Sequence, residues 1–204
     1  ERLLRSLAAP HPSGLRLIAA PNDAMEAARV NENGMARVLT VARRAFRHVV
    51  VDTFPMLDAV ALTILDMSDE VEVVTTSQLP NVEGIRALIG VLERLGVPAD
   101  RRRLILNEAQ PRFSGALSVQ DVADQLGCDV DAVIPHQKSV LVAANTGKPA
   151  ALEGGRLNRF RRRVGALARA VEKPAPRRVA QEGSDDAPAE AFTGRTGLGD
   201  GDEP

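Results

Sequence analysis

Short apolar runs recur along most of the chain, and each is followed by a polar or turn-prone residue. Five of them are continuous or rich in β-branched residues, and they cover residues 15–19, 49–51, 71–75, 104–106 and 132–134. Strands that are buried on both faces have this pattern. We therefore predict a β-strand at each of the five runs.

Segments between these runs carry apolar residues at helical spacing. They predict helices over residues 23–44, 56–67, 81–95 and 118–126, with a last apolar stripe over 156–172. Ser118 is a candidate N-cap for the fourth helix, and Gly96 and Gly127 stand where a helix commonly ends. Strands and helices thus alternate along the chain.

This alternation predicts an α/β fold with a mostly parallel, doubly wound sheet and helices on both faces. A chain of 204 residues with 44% hydrophobic residues is long enough for one domain with a real core. After residue 172 the composition changes to five glycines, four prolines and seven acidic residues. Such a segment buries too little surface to offset its ordering entropy, so we predict a folded domain at 1–172 and a disordered acidic tail at 173–204.

Charge and composition narrow the functional classes. The net charge is −1; the tail carries four basic and seven acidic residues, which leaves +2 for residues 1–172. That balance does not favour a nucleic-acid binder, and the aromatic content of 2% does not favour a stacking surface. Cys128 is the only cysteine and no apolar run approaches the length of a membrane span, so we expect a reducing, cytoplasmic setting.

Candidate chemistry lies at the strand ends, because ligands of open parallel sheets bind outside the carboxyl ends of the strands. Asp52 follows the second run. A carboxylate fixed at a strand end is suited to a magnesium–nucleotide site, and the alternative is that it only caps a turn. Asn107 follows the fourth run. Its side-chain amide is suited to hydrogen bonding with the edge of a purine, and the alternative is that it caps its own turn. Pro135 ends the fifth run and is expected at least to terminate that strand.

Two basic segments have competing interpretations. Arg101, Arg102 and Arg103 precede a strand, and we interpret them as a solvated edge rather than a nucleic-acid patch. The last stripe, residues 156–172, carries several arginines. It is interpreted as a helix that packs on the sheet, with a basic helix on a membrane surface as the alternative.

The phosphate-binding P-loop pattern does not occur in this sequence. Its consensus is G-x-x-x-x-G-K-[ST] after a strand. Lys148 follows Gly147, but no earlier glycine stands at the required spacing and Pro149 replaces the Ser or Thr. The chain as given therefore has no Walker-type phosphate cradle.

Three segments together resemble a known family. Residues 47–97 (RHVVVDTFPMLDAV…), 101–109 (RRRLILNEA) and 131–150 (DAVIPHQKSV…) resemble, in order and spacing, the carboxyl two-thirds of the MinD/ParA-like deviant-Walker ATPases. Within that superfamily they look most like the CpaE/TadZ branch, which works in localising and assembling tight-adherence (Flp-type) pili. The resemblance extends over about residues 14–171, nearly all of the predicted domain.

The resemblance implies a site and its cofactors. By position, Asp52 matches the family's aspartate on the magnesium side of the nucleotide site. Asn107 matches the amide that recognises adenine, and Pro135 with His136 matches the turn after the last strand, on the side of the base. ATP and Mg²⁺ are the implied cofactors, and a homodimer around two nucleotides is the implied assembly. The first strand and the P-loop are then expected upstream of Glu1, so hydrolysis is expected only when that part is supplied.

The expected function is that of a pilus-assembly ATPase fragment whose partners are proteins of the secretion machinery. Its expected location is cytoplasmic, or peripheral at the inner membrane or cell pole. A non-hydrolysing scaffold on the same fold is one alternative, motivated by Pro55, which stands three residues after Asp52 where the family has proline two residues after. A ParA-like DNA-partitioning ATPase is the other, motivated by the arginine-rich segments.

Overall fold

The computed structural model of the chain describes residues 1–21, 23–111, 113–153, 155 and 158–172. A 3₁₀ turn at Ala99–Arg101 precedes the fourth strand. In chain order the helices and strands are α1 (Arg2–Leu7), β1 (Ala9–Pro10), β2 (Arg16–Leu17), α2 (Ala24–Ala27), α3 (Glu32–Ala45), α4 (Ala59–Met67), β3 (Val71–Thr75), α5 (Leu79–Arg94), β4 (Arg102–Asn107), α6 (Val119–Leu126), β5 (Ala132–Ile134), α7 (Lys138–Thr146) and α8 (Arg159–Glu172).

Strands β3, β4 and β5 form a parallel sheet in that order, with β4 in the centre. Val73 lies opposite Leu104, and Leu106 lies opposite Val133. The strands predicted at 71–75, 104–106 and 132–134 are therefore confirmed, as is the α/β class with a parallel sheet. Each of these strands is followed by a helix, as a parallel sheet requires.

The hydrophobic core lies between the sheet and the helices α5 and α6. Because side chains alternate along a strand, Val73, Leu104 and Leu106 all face this side. The buried cluster on this side of the sheet consists of these three residues with Val82, Leu92, Val97 and Val122, all at most 5% exposed. Val73, Leu104 and Leu106 therefore pack against these two helices.

The ends of α5 and α6 follow the predicted capping chemistry. Ser118 caps α6: its side chain accepts from the backbone N–H of Asp121, whose carboxylate accepts from the N–H of Ser118. Gly127 ends the same helix in the left-handed conformation at φ 67°, and Gly96 follows α5 at φ 75°. Both glycines stand where a side chain would be strained.

Helix α8 packs against β5 on the other face of the sheet. Phe160, Val164 and Leu167 of its apolar stripe are half-buried, and no residue of the helix is fully buried. This arrangement confirms the interpretation that the last helix packs on the sheet. Arg156 and Leu157, which were included in the predicted stripe, lie outside the described residues.

The three consecutive arginines each reach a different element. Arg101 donates to backbone carbonyls at the end of α4, and Arg102 donates to the carbonyl of Ile89 and the carboxylate of Glu93 in α5. The side chains of Arg102 and Arg103 are only 11% and 15% exposed. The interpretation of this segment as a solvated edge is therefore wrong, because these guanidinium groups hold helices to the sheet.

Arg103 connects both carboxylates near β3 with the last helix. Its Nη1 lies 3.1 Å from Glu72 Oε1, and its Nη2 donates to Glu70 Oε1 at 3.0 Å. The same Nη2 donates to the carbonyl of Ala170 in α8, also at 3.0 Å. One partly buried cation thus serves two carboxylates and the carboxyl end of a helix.

The strand predicted at 49–51 is wrong. Val49, Val50 and Val51 are 40%, 90% and 37% exposed, and they pair with no strand of the described part of the chain. A run of valines forms a strand only when a neighbouring strand satisfies its backbone groups. The neighbour of β3 within the described sheet is β4 alone, so residues 49–51 remain outside regular structure.

The run at 15–19 is a strand only in part. Arg16–Leu17 pairs antiparallel with Ala9–Pro10, through a turn in which Gly14 has φ 92°. Both strands of this pair are exposed and lie outside the parallel sheet. The prediction that this run belongs to the main sheet is therefore wrong, because the local turn pairs it with its own upstream residues.

The helix predicted at 23–44 is divided into α2 and α3. Asn31 adopts an extended conformation, and its side chain accepts from the N–H of Gly34 to start a new helix. Likewise α4 begins at Ala59 rather than at 56, because Asp58 caps it through the N–H of Ala61. Short polar side chains compete with helical backbone bonding, so they set these starts.

The predicted acidic tail, residues 173–204, lies outside the described residues. Within the described part, no helix is both long and apolar enough to cross a membrane.

Replacing Arg103 with leucine should lower the free energy of unfolding by about 2 kcal/mol, because two partly buried carboxylates lose their cation. Urea denaturation at neutral pH measures the loss. Arg43→Leu is the matched control: Arg43 pairs with Asp69, but the two side chains are 48% and 84% exposed, so its loss should stay below about 1 kcal/mol. Equal losses in the two variants would contradict the assigned role of Arg103.

Glu72→Gln should stabilise the protein at neutral pH. Burial raises the pKa of Glu72 above its usual value of 4.5, more than the Arg103 guanidinium lowers it. Because the pKa of Glu72 is higher in the folded state than in the unfolded state, its protonated carboxyl stabilises the fold. This stabilisation is complete at pH values below the unfolded-state pKa and is lost as the pH rises through the folded-state pKa. Thermal unfolding across pH should show an advantage for the glutamine variant that disappears below about pH 4. Glu83→Gln, at an exposed position on α5, should show no such trend, and parallel curves for both variants would refute the expectation.

Candidate functional site

The carboxyl ends of the three parallel strands are held together by hydrogen bonds between their loops. The N–H of Glu108 donates to the carbonyl of Ile134 at 2.9 Å, which connects the end of β4 to the end of β5. The N–H of Leu117 donates to the carbonyl of Ser77 at 3.0 Å, which connects the loop after β4 to the loop after β3. Residues distant in sequence therefore meet at this edge of the sheet.

A cavity of about 230 Å³ opens between the loops that follow β3 and β4. Its wall is mainly amide and hydroxyl groups with one aromatic ring. The lining residues are Thr76, Ser77, Gln78, Asn81, Asn107, Glu108, Ala109, Gln110, Pro111 and Phe113. The cavity stands where open parallel sheets bind ligands.

Asn107 is the last residue of β4, and the structure places it in the wall of this cavity. It lies on the face of β4 opposite Leu104 and Leu106, because successive side chains of a strand alternate. Its side-chain amide makes no hydrogen bond to any described residue and is half-buried. The side-chain amide of Asn107 can therefore donate a hydrogen bond to a ligand and accept one from it.

Asn81 and Gln78 bring two more amides to the cavity. Asn81 Nδ2 donates to the hydroxyl of Thr76, and Gln78 is the N-cap of α5, although its side chain makes no capping bond. Phe113 contributes a ring that is 49% exposed. The wall therefore combines side chains that can hydrogen-bond to the polar edge of a ligand with an aromatic ring on which a flat ligand ring can pack.

The described lining residues include no lysine or arginine, and their only ionisable side chain is the carboxylate of Glu108. Amide and hydroxyl side chains predominate among the described lining residues, so the cavity suits a ligand group with several hydrogen-bonding atoms.

His136 lies behind the cavity wall rather than in it. Its Nδ1 is 3.0 Å from the carbonyl oxygen of Ala109, a lining residue, so the imidazole positions the loop after β4. Pro135 directly follows β5 and is half-buried. Of the two predicted base-side residues, the structure therefore shows His136 in contact with the loop that follows Asn107.

Asp52 is exposed and does not line the cavity. It belongs to the irregular segment between α3 and α4, so the structure does not bring it together with Asn107. Among the described residues, no group of three or more histidine, cysteine or acidic side chains is arranged to hold a metal ion. Within the described part of the chain, Asp52 is therefore not part of a formed metal site.

Most of the cavity wall was not predicted from the sequence. Thr76, Gln78 and Asn81 follow the strand predicted at 71–75, just as Asn107 follows the next strand of the sheet. The rule that ligands bind at strand ends would have identified the first two of them. Phe113 had no comparable signal, because it enters the wall only through the path of a loop.

Comparison with protein-family models gives no match. Among curated proteins, the septum site-determining protein MinD of Thermotoga maritima is 27% identical over 128 residues, which is 61% of this chain and 47% of that protein. A putative MinD of Tupiella akineta is 27% identical over 119 residues, 57% of this chain and 38% of that protein. The chain therefore spans about half the length, or less, of these curated relatives.

Two solved structures show the same fold. The ParA family ATPase from Chlorobium tepidum superposes with a TM-score of 0.73 at 17% identity, over 82% of this chain and 69% of that one. MinD from Pyrococcus horikoshii, solved in complex with Mg-ADP, gives a TM-score of 0.63 at 18% identity, over 74% of this chain and 60% of that one. The chain is thus similar in sequence to MinD proteins over part of their length and has the α/β fold of MinD/ParA-like ATPases.

Proposed function

We propose that the chain contributes the nucleoside side of an ATP site, in a MinD/ParA-like protein that acts in localising or assembling a tight-adherence (Flp-type) pilus secretion system. The observation that carries the first part is the cavity where Asn107 ends β4. Its volume of about 230 Å³ accommodates a base or a ribose rather than a whole triphosphate.

The chemistry of the cavity wall supports a purine as the bound group. A purine edge presents donors and acceptors side by side, and the amide of Asn107 offers one of each. The ring of Phe113 is available to stack on the flat face of a base.

The wider assignment rests on relatives and on resemblance. The relatives are MinD proteins, and one structural neighbour was solved with Mg-ADP, which supports ATP and Mg²⁺ as the cofactors of the whole site. In this proposal Asp52 serves the metal side and Pro135 with His136 the base side. The resemblance of residues 47–97 and 131–150 to the CpaE/TadZ branch supports the pilus role, a homodimer, secretion-machinery partners and a peripheral place at the inner membrane or cell pole.

A non-hydrolysing scaffold on the same fold is the second candidate. The exposed position of Asp52, away from the cavity, favours it. In that case the protein recruits pilus machinery without turnover, so measurable ATP hydrolysis that is lost on Asp52→Ala would exclude the scaffold. A ParA-like DNA-partitioning ATPase stays the third candidate: Arg101, Arg102 and Arg103 are engaged within the chain, whereas Arg159, Arg162 and Arg163 of α8 are exposed.

Adenosine should bind this chain weakly, and Asn107→Leu should reduce its affinity by about tenfold, the expected effect of losing hydrogen bonds to the base. A titration followed by amide ¹H–¹⁵N shifts measures this effect and shows which residues respond. Asn33→Leu, at an exposed site on α3, is the matched control and should bind as the parent does. Shifts outside residues 76–81 and 107–113, or equal affinities for both variants, would contradict the assignment.

In cells that make this protein, Asn107→Leu should reduce surface pili to the level of a deletion strain while the protein persists at normal abundance. Electron microscopy counts the pili, immunoblotting measures abundance, and Asn33→Leu serves again as the control. Normal piliation in the deletion strain would exclude the pilus role and leave the adenosine result unaffected.

A further inference from the structure

The loop between β4 and α6 forms one wall of the cavity at the carboxyl ends of the strands. Residues 108–111 and 113 of this loop line the cavity, and its described residues include no helix or strand. The backbone of such a loop is held in one conformation when other groups bond to its N–H and C=O groups. The contacts that hold this loop therefore decide the shape of the cavity.

Two residues of the β5–α7 junction hold two consecutive residues of this loop. The carbonyl of Ile134 accepts from the N–H of Glu108 at 2.9 Å, and the imidazole Nδ1 of His136 lies 3.0 Å from the carbonyl oxygen of Ala109. Contacts at two successive residues fix both the position of the chain and the direction in which it leaves β4. Asn107 directly precedes them, so the same contacts hold the backbone that carries its side-chain amide.

One of these two contacts depends on a side chain. The Ile134 contact continues the backbone pairing of β4 with β5 and needs no particular residue. In the His136 contact a carbonyl can only accept, so Nδ1 carries a proton and donates it. The imidazole is half-buried and does not belong to the buried cluster between the sheet, α5 and α6. Substitution of His136 therefore removes the loop contact and leaves that cluster intact.

His136 also stands just before α7. The N-cap of that helix is Gln137, whose side chain makes no capping bond, and the helix begins at Lys138. In the first turn the N–H of Val140 donates to the carbonyl of Gln137 at 3.0 Å. The imidazole that holds the cavity wall is therefore separated from α7 by a single residue.

We propose that His136 is a positioning residue for the cavity and that it couples binding in the cavity to the first turn of α7. This inference rests on the proposed nucleoside site. Through the carbonyl of Ala109, the imidazole keeps the loop after β4 in the conformation that presents Asn107 to the ligand. A loop held in this conformation binds more tightly, because the apparent affinity falls with the fraction of molecules that are competent to bind.

The coupling acts in both directions. A ligand that contacts the loop stabilises the conformation in which Ala109 meets His136, and by linkage the His136 contact strengthens ligand binding by the same factor. A bound nucleoside should therefore slow the opening of the first turn of α7, although no described residue of α7 lines the cavity. A histidine that only supported the fold would not make the amides of α7 respond to the ligand.

The test titrates the full 204-residue chain with adenosine and follows amide ¹H–¹⁵N shifts. His136→Ala should weaken binding about fivefold, the effect of losing one neutral hydrogen bond. His136→Asn should restore the affinity, because asparagine carries an N–H donor at the same distance along the side chain as the imidazole Nδ1. His11→Ala is the matched control and should bind as the parent does: His11 Nδ1 lies 2.8 Å from the hydroxyl of Ser13, and neither residue lines the cavity.

Hydrogen exchange of the same variants gives the second readout. Adenosine should raise the protection of the Val140 amide in the parent and in His136→Asn, and should leave it unchanged in His136→Ala. Without adenosine, His136→Ala should speed the exchange of the Glu108 amide, which donates to Ile134 beside the lost contact.

Equal adenosine affinities of the parent and His136→Ala, or a failure of His136→Asn to restore binding, would overturn the inference and leave the nucleoside site in place. A Val140 amide that does not respond to adenosine in the parent would overturn the coupling to α7. If the parent binds no adenosine, it is the proposed function that fails. Unchanged exchange of Glu108 in His136→Ala would show separately that the imidazole does not hold the loop.

Discussion

Backbone pairing between β4 and its two neighbours decides where the other elements of this molecule lie. β4 contributes its N–H and C=O groups to both β3 and β5, and the parallel register aligns the three carboxyl ends at one edge. The same pairing fixes side-chain alternation, so Leu104 and Leu106 face the core helices while Arg103 and Asn107 face the other side. The cavity at one end of the sheet and the charged cluster at the other follow from a single register.

The sequence predicted the parts of the fold that depend on local order. Residues 71–75, 104–106 and 132–134 form the three strands of the parallel sheet, as their apolar runs predicted, and Ser118 caps α6 through bonds within one turn. The valines at 49–51 have the same composition and yet form no strand in the described structure. A strand needs a neighbour, and no property of three valines can specify one.

Contacts between distant positions explain what the sequence could not predict about the site and its surroundings. Asn107 was identifiable because a polar residue ending an apolar run is a local signal. Phe113 joins the cavity wall through the path of a loop, and Arg103 meets Ala170 across 67 positions of sequence. The sequence could not predict the contacts of Arg101, Arg102 and Arg103, because their partners lie in four separate elements, α4, α5, β3 and α8.

The attachment of α8 has a consequence for how the molecule opens. None of its 14 residues is fully buried, and its carboxyl end is held by one guanidinium that also serves two carboxylates. We expect such an element to separate at a lower free energy than the strands beneath it, as a subglobal unfolding unit. Departure of α8 would uncover Ile134 and the adjacent face of β5 while β3, β4 and the core helices remained folded.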